Sequence, residues 1–240
     1  MKTRNRHFYI LLSVLLLLLN SCDDYYHDCV RGNGPVIREE RSITDFDGVY
    51  NGINANVHIT QGEPYLVVIE GREDIVDRIR TTVSGGELSI ESRRCLKGGG
   101  VDVFITMPSI NSIANSGSGN FFSSNLWITD NLDMSVTGSG DIKADLEVDN
   151  LEYTITGSGN IRLTGSCESQ DIRISGSGRI NSFGLLSERT DVSISGSGRC
   201  EVSVEDRLDV KISGSGSVFY RGNPVVNSSI SGSGRVIDDN

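Results

Sequence analysis

Histidine is nearly missing from this chain, with three residues in 240, and two of them, His7 and His27, fall at the N-terminus, leaving His58 alone in the remainder. A serine or cysteine nucleophile needs a neighbouring base, and zinc sites draw on His and Cys. Five cysteines with no Cys-x-x-Cys spacing and almost no histidine therefore leave no metal-site signature. His58 alternates with Val57 and Ile59, so it reads as an outward polar position on a strand rather than a catalytic base. Long apolar runs are missing too: the one stretch, Phe8 to Leu19, covers 12 residues, short of the roughly 20 that span a bilayer as a helix. Positive charge is the third shortage, with 22 Lys and Arg against 32 Asp and Glu.

What stands at the N-terminus is a basic start (Lys2, Arg4, Arg6), the apolar run, and then Leu19-Asn20-Ser21-Cys22. This layout is that of a secretory signal over residues 1–21. Its end resembles a bacterial lipoprotein lipobox, with Asn20 a less usual occupant, which implies lipidation of Cys22. Several acyl chains on one cysteine give a stable membrane anchor. Asp23 and Asp24 resemble the surface-export signal of Bacteroidetes lipoproteins, so the expected location is the outer membrane, facing outward. Loss of residues 1–21 removes three bases and no acids, giving 19 − 32 = −13, a charge that disfavours nucleic acid as a partner. Export to an oxidising envelope permits disulfides among Cys29, Cys95, Cys167 and Cys200, with three pairings open. Residues 22–35 carry Gly and Pro without periodicity and read as a tether.

From residue 36 to about 110, segments such as "NANVHITQ", "GELSIES" and "VDVFITMP" alternate apolar and polar residues and predict strands. In "REDIVDRIRTTV" the spacing of Ile75, Val76, Ile79 and Val83 predicts one short helix. Residues 111–240 form a repeat built on Gly-Ser-Gly. Its first glycines are Gly117, Gly138, Gly157, Gly176, Gly196, Gly214 and Gly232, at steps of 21, 19, 19, 20, 18 and 18 residues. Four residues after that glycine stand Phe121, Ile142, Ile161, Ile180, Cys200, Val218 and Val236; two before it stand Val136, Ile155, Ile174, Ile194, Ile212 and Ile230, with Asn115 breaking the column. Even offsets share one face of a strand, so these columns and both glycines point inward, and the middle serines outward. A period near 19 over seven copies predicts an all-β solenoid, a right-handed parallel β-helix whose coils stack about 4.8 Å apart. Propeller blades, of roughly 40 residues or more, are too long for it.

"FDGVYNGINANVHITQG" (Phe46 to Gly62), the "LVVIEGREDIVDRIRTTVSGGELSIES" segment, "VDVFITMPSINSIANSGSGN" and the Gly-Ser-Gly units together resemble the head GIN domain family of Bacteroidetes envelope proteins, whose members carry an auto-transporter adhesin label. The resemblance runs from about Val36 to the C-terminus. It implies a β-helical domain over 36–240, an adhesive role, and no catalytic residues.

The triplet is not a nucleophile elbow, because each serine has glycine on both sides and recurs seven times without a base. Nor is it a phosphate cradle. Three residues after the second glycine stand Phe122, Lys143, Arg162, Asn181, Glu201, Phe219 and Ile237, never a third glycine. Calcium β-roll repeats need an aspartate in every copy, and only Asp141 follows a triplet. Asp133, Asp145, Asp149 and Glu152 look scattered over turns. No cofactor is expected. The candidate contact surface is the outward column beside the triplets: Ser158, Asn160, Ser177, Arg179, Ser197 and Arg199, where hydroxyls and planar guanidiniums would hold a glycan or a host or neighbouring cell surface. The expected role is a non-catalytic surface binding or adhesion module. A structural or stress-related envelope protein is the first alternative, a polysaccharide-active β-helix enzyme the second.

Overall fold

A computed structural model describes residues 29–240. The signal, Cys22 and the Asp23-Asp24 pair lie outside the described residues. In chain order the elements are β1 (Val30–Arg31), β2 (Val36–Arg41), β3 (Gly48–Asn51), β4 (Asn56–Gln61), β5 (Leu66–Arg72), α1 (Glu73–Val76), β6 (Ile79–Ser84), β7 (Glu87–Ser92), β8 (Leu96–Lys97) and β9 (Asp102–Met107). The repeat follows as β10 (Ser112–Asn115), β11 (Asn120–Ser123), β12 (Trp127–Gly138), β13 (Asp141–Gly157), β14 (Asn160–Gly176), β15 (Arg179–Gly196), β16 (Arg199–Gly214), β17 (Ser217–Arg221), β18 (Val225–Gly232) and β19 (Arg235–Asp238).

The repeat is a β-solenoid of about seven turns with coils roughly 19 residues apart. Each coil pairs in parallel with the next, so that Ile142, Ile161, Ile180, Cys200 and Val218 stack rung on rung. All five are buried, as are Val136, Ile155, Ile174, Ile194 and Ile212 of the second column. Burying each such aliphatic side chain contributes about 1.5–3 kcal/mol, and because every coil repeats the same positions, the core forms one continuous column. The core also holds polar groups, all of them partnered: the Tyr153 hydroxyl donates to Gln170 at 2.5 Å, and the Gln170 amide donates to Ser187 and Thr190, each at 2.9 Å. Burial pushes the Tyr153 hydroxyl and the Cys200 thiol up, and Cys167 up to about 12. Both thiols are unpaired, buried and inert.

The two glycines of the triplet differ, where parity placed both inside. Only the second is buried, in every coil before the last. A methyl on Gly178 would lie 2.5 Å from Ile155 Cγ2 of the coil beneath, and Gly198 meets Ile174 in the same way. The first glycine turns the corner at φ +120° to +128° in the six coils from Gly138 to Gly232, with the preceding coil's glycine carbonyl against the space a side chain would fill. Its serine neighbour donates its amide to that carbonyl, as in Ser177 to Gly157 at 2.9 Å and Ser197 to Gly176 at 2.8 Å. Asn115, which breaks the apolar column, braces an early corner: its amide donates to the Gly119 carbonyl at 2.5 Å, and Asn51 does the same toward Ala55 at 3.2 Å one coil earlier.

The N-terminal third is layered differently. β3 and β4 open the parallel stack against β10 and β11. On the other side of β3 and β4 lie parallel β7 and β9, and these are closed by antiparallel partners, β6 on β7 and β5 on β9, with β2 on β5. The predicted helix shrinks to the single turn α1, because Ile79 and its successors extend into β6. Cys29 is disulfide-bonded to Cys95, and β1 pairs with β8 beside it. The stretch 29–35 of the expected tether is thus fastened to the domain, with Asp74 accepting the Asn33 and Gly34 amides. At the other end, the last coil pairs along one edge only among the described residues, β18 with β16 and β19 with β17.

Candidate functional site

The strand that follows each corner presents two outward columns. The first is Asp102, Asn56, Asn120, Asp141, Asn160, Arg179, Arg199, Ser217 and Arg235; the second is Phe104, His58, Phe122, Lys143, Arg162, Asn181, Glu201, Phe219 and Ile237. Register at a repeat of about 4.8 Å makes each column a ladder of neighbours. In the first, Asn56 donates to Asp102 at 3.2 Å, Asn120 to Asn56 at 3.0 Å and Asn160 to Asp141 at 2.7 Å. In the second, His58 lies stacked between Phe104 and Phe122 at ring separations of 5.1 and 5.2 Å, and Arg38 covers the far side of Phe104. His58 also meets Asp102 at 3.4 Å. It is therefore a partnered rung of an aromatic ladder.

Between Phe122 and Asn181 the face sinks into a groove of about 410 Å³. Its cations are Lys143, Arg162 and Arg179, its one acid is Asp141, and Asn120, Asn160 and Asn181 complete the polar lining. None of the three cations has an ion pair among the described residues, and all three are exposed. Lys143 and Arg162 oppose each other on adjacent rungs. Like charges so placed are destabilising, so this arrangement is not explained by stability.

The expected contact column divides. Arg199 is taken up by its own fold: two of its nitrogens lie 2.8 and 2.7 Å from Glu201 Oε1, and its guanidinium sits 3.9 Å over the Phe219 ring. Asn160 and Arg179 do line the groove. Ser158, Ser177 and Ser197 are exposed at the corners, one step around the coil from it. Phe122, Lys143 and Arg162 were missed, although the column that rules out a phosphate cradle contains all three.

The carboxylates are less scattered than the sequence implied. Asp133, Glu152, Asp171, Asp191 and Asp209 stack in register on the face that precedes the corner. Arg173 bridges Glu152 and Asp171, and Arg207 and Asn227 hold Asp209. Burial raises the Asp171 pKa from its ordinary value, Arg173 opposes that, and the flanking Glu152 and Asp191 reinforce it. Asp145 lies elsewhere, bonded to Thr164. Beside this ladder is a wider depression of about 470 Å³, where acids outnumber bases.

Stacked parallel coils roughly 19 residues apart, with repeating apolar inner columns and variable outer columns, define a repeat protein of the β-solenoid class. The model of the family described as "Putative auto-transporter adhesin, head GIN domain" matches residues 45–224, and the chain belongs to that family. Its fold is shared with a structure from Bacteroides fragilis described as "a putative adhesin" (24% identity, 87% of this chain and 99% of that one, TM-score 0.80). A second structure with the same description, from Parabacteroides merdae, is 22% identical over 89% of this chain and 100% of its own, with a TM-score of 0.73. A structure from Parabacteroides distasonis named as a lipid binding protein is 22% identical, covering 88% and 99%, at a TM-score of 0.73. No curated protein matches the chain.

Proposed function

We propose that this protein is a non-catalytic binding module of the cell envelope, anchored in the outer membrane by lipid on Cys22 and exposed to the outside, and that its contact surface is the grooved face after the corners. The observation that carries this is the groove itself: three cations without an ion pair among the described residues, on a chain that is otherwise strongly acidic. Elsewhere on that face Arg199 and the Asn56–Asp102 pair are matched within the fold. Membership in a family described as adhesins agrees with it. The groove's charged and amide lining favours a polar ligand.

The test is made on intact cells. Cys22→Ala is expected to abolish labelling with a radioactive fatty acid, and external protease is expected to remove the wild-type protein. Arg162→Glu with Arg179→Glu is expected to reduce attachment of the cells to a glycan-coated surface at unchanged protein level. Full protection from protease, or attachment equal to that of wild type, overturns the reading and favours a structural envelope protein. The carboxylate ladder favours one second reading, a polysaccharide-active enzyme, because neighbouring carboxylates are what glycoside hydrolysis uses. Arg173 holds both Glu152 and Asp171, which opposes it, and turnover of any acidic polysaccharide lost in Asp171→Asn would establish it.

A further inference from the structure

We infer that the groove between Phe122 and Arg179 is a binding site for an anionic saccharide, one sugar carrying a carboxylate or sulfate. This rests on the reading of the same face as a binding surface and names what it binds. Three features converge. The first is ring geometry: His58 covers one face of Phe122, so the opposite face looks along the solenoid axis toward the rung of Lys143, into the groove it lines. An aromatic wall with a few placed polar groups is the usual make-up of a small-ligand site, and a volume of about 410 Å³ falls in the ordinary range of roughly 300–1,000 Å³.

The second is charge. Lys143, Arg162 and Arg179 against Asp141 leave 3 − 1 = +2 within the groove, and Asp141 is already engaged by the Asn160 amide at 2.7 Å. A carboxylate or sulfate between Lys143 and Arg162 would remove the repulsion of two like charges on adjacent rungs and accept charge-assisted hydrogen bonds from both. The third is the remaining polar lining. Asn181, with the hydrogen-bonding capacity left on Asn120 and Asn160 after their bonds to Asn56 and Asp141, supplies amide donors and acceptors suited to hydroxyls. A long polyanion such as nucleic acid fits less well. The groove's excess charge is confined to the rungs of Lys143, Arg162 and Arg179, and on the next rung Arg199 is neutralised by Glu201 in an acidic chain.

The experiment titrates the full-length chain in detergent with a carboxylated probe (oligogalacturonate), a sulfated probe (a heparin-derived oligosaccharide) and a neutral one (a cello-oligosaccharide), read by calorimetry. At least one acidic probe is expected to bind, with the neutral probe roughly tenfold weaker or more, and the stronger of the acidic pair identifies the anionic group. Lys143→Gln with Arg162→Gln is expected to weaken that binding by roughly tenfold or more, the loss of charge-assisted hydrogen bonds. Phe122→Ala should weaken it by a smaller factor, and Arg235→Gln, in the same column but outside the groove, should leave it unchanged. No binding of either acidic probe, equal affinity for the neutral one, or an unchanged double variant overturns the inference. So does binding of single-stranded poly(dT) or phosphatidylglycerol vesicles that exceeds both acidic sugars and shows the same dependence on Lys143 and Arg162. Cell attachment lost in the double variant without saccharide binding refutes the ligand and leaves the adhesive reading standing; saccharide binding with unchanged attachment does the reverse.

Discussion

The two ends of the solenoid close in different ways. A β-solenoid leaves its first and last coils with an open core and an unpaired strand edge, both of which invite association. At the N-terminal end the topology changes: antiparallel β2, β5 and β6, the single turn α1 and the Cys29–Cys95 disulfide cover the first coil, and Ile75, Val76 and Ile79 are buried beneath them. At the other end the topology stays the same and the residues change. Ser228 takes the place of Val192 and Val210 in the inner column, and Asp238 follows Val202 and Tyr220 in another. Ile230, whose equivalents Ile194 and Ile212 are 1% exposed, is 42% exposed there. Asp238, which follows Tyr220 in register, is exposed at the end of the stack, where its carboxylate accepts from the backbone and side-chain amides of Asn240. A charge placed on an edge strand is one of the ways an edge is protected. One end is thus covered by added structure and the other protected by polarity.

The sharpest way to probe that contrast is to damage the same corner at two places. Gly176→Val puts a β-branched side chain at φ +120°, with its Cβ 2.5 Å from the Gly157 carbonyl oxygen. The expected loss is about 4 kcal/mol or more, seen as failure to fold or a large drop in Tm. Gly232→Val has the same geometry in the last coil and should cost on the order of 1 kcal/mol, because only that coil must give way. Equal losses would mean that the coils unfold as one unit. Next in size, Cys29→Ser opens a link between residues 66 apart and is expected to lower stability by about 2–5 kcal/mol in chemical denaturation. Limited proteolysis should then cut first in the N-terminal third, whereas cutting first near β18 would show that the disulfide is not what distinguishes the ends.

Asp238→Val tests the polar guard. Removing the carboxylate should leave stability nearly unchanged and produce concentration-dependent self-association in size-exclusion chromatography; a variant that stays monomeric would move the guarding role to Ser228 or Asp239. The smallest effect lies between the ends, at Asp171. Its folded pKa is raised by burial, so its contribution to stability is present below the ordinary value of 3.8 and lost as pH rises through the higher folded value. Asp171→Asn should flatten the fall in Tm across that window and raise Tm slightly at neutral pH. A steeper fall would mean that the Arg173 pairing outweighs the burial.

The sequence made the repeat legible because each inner column has a single parity and one dominant chemistry. Ile155, Ile174, Ile194 and Ile212 could be aligned without any knowledge of the backbone. The N-terminal cap was not legible in the same way. β4 and β5 both read as alternating strands, and nothing in that alternation separates parallel from antiparallel partners. The site was half legible. Arg179 and Asn160 stand in the triplet's own column, whereas Phe122, Lys143 and Arg162 occur once each and gain meaning only when coil stacking makes them neighbours. Arg199 looked equivalent to Arg179 by position. What separates them is the second column: Glu201 stands two residues on in the same rung as Arg199 and pairs with it, with Phe219 on the following rung beneath the guanidinium, whereas Arg179 has Asn181 in that place.

The amide-to-carbonyl bonds that climb the corners, from Gly138 through Gly214, bear on how the molecule carries force. Held from the Cys29 side and pulled by a ligand in the groove, only the coils between the disulfide-bound cap and the rungs of Asn120 to Asn181 lie under tension. The coils from β16 onward carry none. Because neighbouring coils are joined in series along the axis, that short loaded segment sets the rupture force, and the disulfide sits at the point where the load enters the domain.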